Sequence, residues 1–298
     1  MRIDGILAER RPVFSFEFFP PKTDEGLVNL RETLAVLSDD APDFVSVTYG
    51  ALGSTRDTTI DIVKWIKQDL GIEAMAHFTC VGATVDELRA TLDEIEAAGV
   101  GNVLALRGGP PAGQEEWVQT EGGLLYSTEL IALLSEHYGF AVGAAAFPEV
   151  HPQAESADSD IRFLKAKQDA GASFLITQLF YDNEFYFDFV DRARDAGITV
   201  PIIPGIMPVI NLRNIRRITE LCKSEIPEPF ERQLEARESD PQALQDLGVA
   251  YATLQCVDLL ARGAPGIHFY TLNRSPATRA ILAALRAAEP WTRAAQPV

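Results

Sequence analysis

The residues best suited to chemistry begin with Glu17, in the stretch Ser15 to Lys22, which reads SFEFFPPK. One carboxylate stands among Phe16, Phe18 and Phe19, and two prolines then end the strand because proline has no N–H to give a ladder. Apolar surroundings raise a carboxyl pKa by desolvation and let the group hold a proton for delivery. The bland alternative is that Glu17 meets a buried arginine or lysine. Further on, Arg107-Gly108-Gly109-Pro110-Pro111 leaves a strand pattern as a bare loop. Its glycines let a ligand approach the backbone, and Arg107 offers an anion a fork of donors. His77 in AHFTC reads as a core histidine or as a ligand, His151 in PEVHP lies in a polar loop, and Lys167 lies on a helix from which it could meet a phosphate. The histidines His77, His137, His151 and His268 form no HxH and no HExxH, so no metal site is expected; His268 stops short of its strand end.

These residues need a scaffold, and the hydrophobic pattern supplies one. Apolar runs at Phe44–Thr48, Ala74–Thr79, Asn102–Leu106, Ala141–Phe147, Phe174–Phe180, Val200–Ile206 and Gly266–Leu272 read as strands after the first. Helical spacing follows each, at Glu25–Leu37, Thr58–Leu70, Val85–Ala98, Leu124–Tyr138, Asp160–Ala170, Glu184–Ala196, Leu212–Cys222 and Ala277–Ala287. Eight strand–helix units with strands apolar on both faces imply parallel pairing. The expected fold is α/β, a closed (β/α)8 or TIM barrel, with extra helices before the eighth strand, in one domain over residues 1–298. The surplus, 224–262, holds a proline-rich turn and a long helix from Pro241, and the tail 292–298 is expected to be mobile. An open doubly wound sheet is the alternative, but no GxGxxG follows a strand. In such barrels the site lies at the strand C-termini, where Glu17, Thr48, His77, Arg107, His151, Gln178, Tyr270, Asn273 and Arg274 all fall.

Composition narrows the function. The formal net charge is −17, which argues against a nucleic-acid surface and requires any anionic ligand to find a local basic site. No apolar run approaches a membrane span, and the charged start MRIDGILAERRP lacks a signal-peptide core. The three cysteines form no CxxC, and a reduced, cytoplasmic protein is expected.

Taken together, SFEFFPPK, FVSVTYGA, AHFTC, LALRG, FPEVHP, LITQLFYD, IIPGIMPV and HFYTLNR resemble, in order, the methylenetetrahydrofolate reductase family over Ser15 to Arg274. The resemblance implies a barrel holding FAD non-covalently, reduced by NADH or NADPH, which then passes hydride to methylenetetrahydrofolate in a ping-pong reaction. It implies that Glu17 is the general acid and that Gln178, Arg274 and position 109 meet folate. It implies flavin contacts at Thr48, His77, Leu106, Arg107, Gly108, Tyr126, Ser127, Phe147, His151, Ala154, Asp160 and Lys167. Phe147 stands where many members have tyrosine, and Leu212 where a stacking phenylalanine is common. The family usually reads LRGD, whereas position 109 here is glycine, which bears on flavin tuning and folate binding. Bacterial members also imply a homo-oligomer.

Overall fold

The computed structural model describes residues 1–49, 56–109, 119–274 and 276–292. Apolar runs covered on both faces form β1 (Val13–Phe18), β2 (Phe44–Val47), β3 (Ala74–Thr79), β4 (Asn102–Leu106), β5 (Ala141–Ala146) and β6 (Phe174–Thr177). β7 (Ile202–Ile203), β8 (Gly205–Ile206) and β9 (Gly266–Tyr270) complete a parallel sheet of order β7-β6-β5-β4-β3-β2-β1-β9-β8. The first and last members of that order are joined through Pro204, so the sheet closes on itself. Pro204 has no N–H to give. Its carbonyl accepts from His268 N at 2.9 Å, and Gly205 N turns instead to Thr177 Oγ1 at 2.9 Å. The single strand expected at 200–206 is therefore two short pieces, one on β6 and one on β9. Counted as one, they give the expected eight-stranded barrel.

Helix α1 (Ile3–Glu9) precedes β1, and α2 (Asp24–Ser38), α3 (Arg56–Gln68), α4 (Val85–Ala97), α5 (Ser127–His137), α6 (Ala157–Asp169) and α7 (Asn183–Asp195) follow β1 to β6 in turn. Thr84 opens α4 with a reciprocal capping box to Glu87. Ser156 caps α6 by accepting from Ser159 N, so that helix starts before the expected Asp160. α5 starts after the expected Leu124, where Glu129 turns back to bond the N–H groups of Leu125 and Tyr126.

The sequence pattern does not announce α1. Its Ile3, Ile6 and Leu7 are buried against Val13, Phe44 and Met75, the inward residues at the lower end of the barrel, and form its floor. Asn102 ties that floor down from inside. Its Oδ1 accepts from Ile3 N at 2.8 Å, and its Nδ2 donates to Ala74 O at 3.1 Å.

After β8 come α8 (Leu212–Cys222), α9 (Glu228–Glu235), α10 (Pro241–Ala261) and, after β9, α11 (Pro276–Ala288). The proline-rich turn near Pro227 is the start of α9, with proline in its first turn where no N–H is needed. Ala252, Cys256, Leu259 and Leu260 of α10 join the main core between sheet and helices. α8 and α9 bury Leu212, Ile215, Phe230 and Leu234 in a separate cluster with Leu179, Met207 and Val209, from the loops leaving β6 and β8. So α10 covers the wall, and the α8–α9 pair packs on the rim. Of the expected mobile tail, 292–298, Thr292 ends a short 3-10 turn from Pro290, and 293–298 lie outside the described residues.

Asn102→Ala leaves the buried Ile3 N–H and Ala74 carbonyl short of a partner, at about 1–3 kcal/mol for each group left unpaired. A lowered urea midpoint is the expected result. A midpoint equal to the parent's would show that the floor does not depend on this side chain.

Candidate active site

Strand alternation decides the environment of Glu17. Phe14, Phe16 and Phe18 face the helices as part of the main core, and Phe16 lies 5.2 Å from Phe269 between ring centroids. Val13, Ser15 and Glu17 face the barrel interior. The phenylalanines next to Glu17 in sequence therefore do not surround its carboxylate. Two histidines do. His268 Nε2 lies 3.2 Å from Glu17 Oε2, and His268 Nδ1 lies 2.8 Å from Ser15 Oγ. His77 Nε2 lies 3.2 Å from the same carboxylate oxygen but is off the hydrogen-bonding axis. The pairing of β1 with β9 sets this up by placing Ser15 opposite His268 and Glu17 opposite Tyr270.

The expected raised pKa is reversed. Burial does push the Glu17 carboxyl up, but the His77 charge and the hydrogen bond from His268 outweigh it and hold it at about 2. Glu17 is therefore held toward its ionised form, with two imidazole nitrogens 3.2 Å from its Oε2. The partner is histidine rather than arginine or lysine. His268 is not among the expected site residues because it stops short of its strand end. The signal was its place two residues before Tyr270, on the same inward face. The loops above are tied across the same pair of strands. Thr271 Oγ1 donates to Glu17 O at 2.7 Å, and Asn273 holds Phe19 through bonds of 2.9 Å and 2.8 Å.

A second group of predicted residues gathers where β4, β5 and α6 meet. Arg107 donates to Gln153 Oε1 at 2.7 Å. Gln153 N donates to His151 Nδ1 at 3.0 Å, and His151 N donates to Asp160 Oδ2 at 3.0 Å. Ala154 N closes the turn onto His151 O, and Phe147 meets the His151 ring edge-on at 4.5 Å. Lys167 Nζ donates to Ala145 O at 2.7 Å and lies 5.9 Å from the Phe147 ring centre. Desolvation pushes the Lys167 ammonium down to about 8, opposed by Asp160. Among the described residues it has no carboxylate partner. Desolvation, with the charges of Lys167, Arg107 and Lys223, also lowers His151, against Asp160.

The remaining predicted residues are spread around the strand ends and beyond them. Thr48 N donates to Phe18 O at 2.8 Å, beside β1. Leu106 ends β4 opposite Thr79. Gly108 adopts φ +92°, and a Cβ there would press on Thr79 and Val81 at 3.2 and 3.3 Å. Gly109 is exposed, is outside the left-handed region, and a Cβ there would meet nothing within 4 Å. Gln178 N continues the β5–β6 ladder to Ala146 O at 2.8 Å, near Thr177, whose carbonyl accepts from Tyr270 Oη at 2.7 Å. Tyr126 and Ser127 stand at the start of α5, with no described contact to the cation group. Arg274 lies apart, exposed on a cavity of about 530 Å³ shared with Glu32, Gln245 and Arg279.

A parallel barrel that opens a carboxylate–imidazole cluster and a cation group at its strand ends has the architecture of the (β/α)8 barrels that hold ligands at that rim. The chain belongs to the methylenetetrahydrofolate reductase family, whose sequence profile matches residues 2–286. It is 41% identical over 268 residues to 5,10-methylenetetrahydrofolate reductase of Escherichia coli, covering 90% of this chain and 88% of that one. It is 39% identical over 283 residues to methylenetetrahydrofolate reductase (NADH) 1 of Arabidopsis thaliana, covering 91% of this chain and 48% of the plant protein. The chain thus spans about half the length of the plant relatives it matches. A solved structure of a Clostridium thermocellum protein, described as binding two copies of 5-methyl-5,6,7,8-tetrahydrofolic acid, shares the fold. Its TM-score is 0.65 at 19% identity, covering 97% of this chain and 99% of that one. No helix among the described residues is long and apolar enough to cross a membrane.

The histidine pair makes a titration prediction. The folded pKa of Glu17, about 2, lies below the ordinary 4.5. The carboxylate's share of stability is therefore present above pH 4.5 and is lost as pH falls through about 2. In the cofactor-free protein, the labelled Glu17 carboxyl carbon should titrate well below ordinary glutamates. His268→Asn should move its midpoint up. A parent midpoint at or above 4.5 would show that the histidines do not hold the charge.

Proposed function

We propose that this chain reduces 5,10-methylenetetrahydrofolate to 5-methyltetrahydrofolate with a reduced nicotinamide nucleotide, through non-covalently held FAD and in two successive half-reactions at one site. The supporting observation is the pairing, at one barrel end, of the Glu17–imidazole cluster with a desolvated ammonium, Lys167, that has no carboxylate partner among the described residues. In a chain of net charge −17, such an ammonium beside Arg107 fits a bound diphosphate. The Gly108 turn, too tight for a Cβ, and the open space at Gly109 fit a planar ring close to the backbone. When bound, FAD supplies the two-electron step between nicotinamide and folate. Arg107 and Lys167 bind the diphosphate, and Asp160 holds the His151 loop beside them. Gln178 and Arg274 orient the folate. Glu17 Oε2, drawing on the imidazoles 3.2 Å away, delivers the proton that opens the folate's five-membered ring. The plant relatives named for NADH favour that donor.

A second reading, a folate- and flavin-binding homologue with slow turnover, is favoured by Gly109, where the family resemblance implies an aspartate. Two variants separate these readings. Glu17→Gln should slow the folate half-reaction by about 10²- to 10⁴-fold and spare flavin reduction by NADH. Equal loss in both half-reactions, followed by anaerobic stopped flow, would remove Glu17 from the acid role.

Gly109→Asp fits the backbone without strain. A carboxylate there disfavours the extra negative charge of a reduced flavin. It should lower the flavin potential by tens of millivolts at most, at about 30 mV per 1.4 kcal/mol. It should also tighten folate and speed the second half-reaction. Spectroelectrochemistry on the FAD-saturated variant decides this: an unmoved potential means that position 109 does not face the flavin.

A further inference from the structure

α8 ends on Lys223 at φ +55° and ψ +38°. Glycine usually fills that left-handed position, because a Cβ is disfavoured there. The lysine is held nonetheless, with its Nζ donating to Pro152 O at 3.1 Å. Pro152 lies between His151 and Gln153, the residue that receives Arg107 at 2.7 Å. Lys223 thus stands with Arg107 and Lys167 as a third positive charge acting on His151, where Asp160 opposes them. The acid beside this segment is Glu149, whose Oε1 accepts from Glu225 N at 2.7 Å and fixes that stretch against the β5 loop; burial, with the charges of Glu225 and Asp182, pushes the Glu149 carboxyl pKa up. Any neutral donor could serve the Pro152 carbonyl. What lysine adds is charge, carried across from a different helix pair.

We propose that Lys223 is a further anion-binding residue, the third cation for a phosphate of the bound dinucleotide, reaching the site from the α8–α9 pair. This rests on the flavin reading above. It also makes cofactor retention depend on how that helix pair sits on the rim.

The test is equilibrium titration of the cofactor-free full chain, parent, Lys223→Gln and Lys223→Gly, with FAD and with riboflavin. Glutamine keeps a donor for Pro152 without the charge, and glycine relieves the backbone. Both variants should bind FAD about 3- to 10-fold more weakly at low salt, the size of one partly exposed charge contact. The gap should shrink at about 0.5 M salt, where exposed charges are screened. Riboflavin, which has no phosphate, should bind all three alike, and Lys223→Gly should unfold at a urea concentration no lower than the parent's. Equal FAD affinity in the parent and Lys223→Gln at low salt overturns the proposal. So does an effect on riboflavin as large as that on FAD, or a loss seen with glycine but not glutamine. If the parent itself takes up no FAD, the flavin reading falls and Lys223 falls with it. An unchanged Lys223→Gln in a parent that binds FAD removes only Lys223.

Discussion

A carboxylate facing the inside of a barrel stays charged only if the interior supplies partners for it. Here they are imidazoles on β3 and β9, on either side of β1, and the arrangement depends on register. A slip of one residue in β1 would turn Phe16 and Phe18 inward and drive Glu17 into the apolar layer under the helices. The floor fixes that register from below: α1 packs on Val13, Phe44 and Met75, and Asn102 closes the hydrogen bonds beneath them. The Pro204 break fixes it from the side, because His268 N bonds the proline carbonyl while Gly205 turns to Thr177. The chemistry at the top of the barrel thus relies on apolar packing at its base.

The cation group follows a different rule. Lys167 is desolvated and its ammonium is held near 8 rather than 10.5. The unfolded chain therefore binds more protons between those values, so the charged lysine weighs against folding below pH 8 and less so as pH rises through that window. A protein keeps such a group where an anion completes it. The net charge of −17 sharpens the point, since an anion drawn to this acidic protein needs a local basic site such as this corner.

The sequence was readable where both faces of an element are covered or where a cap is explicit. Continuous apolar runs marked the strands, Thr84 with Glu87 marked the start of α4, and the order of polar residues at the strand ends marked the rim. It was not readable where tertiary contact overrides local pattern. α1 has only seven residues, with charged ends, and becomes a buried floor only because the barrel above needs one. Pro204 lies inside an apolar run that looks like one strand, and only the closed sheet shows that its two sides bond different neighbours. The setting of Glu17 differs from the expected one because its neighbours in sequence are not its neighbours in space. Period-2 alternation in FSFEF separates the phenylalanines from the carboxylate, and the same alternation in GIHFY puts His268 beside it.

The surplus chain between β8 and β9 gains a purpose from this geometry. A barrel wall needs one helix over each strand interval, and α10 meets that need with Ala252, Cys256, Leu259 and Leu260. α8 and α9 are therefore free of the wall. Their own cluster grips Leu179, Met207 and Val209 at the ends of β6 and β8, Ser224 Oγ donates to Leu179 O at 2.9 Å, and Lys223 and Glu225 reach the β5 loop. Leu212 opens α8, a helix of 11 residues, and Lys223 caps its far end. One end stands where the family resemblance implies substrate stacking and the other beside the cation group. A shift of this helix pair would be felt at both, which joins the two halves of the site through packing rather than through the barrel itself.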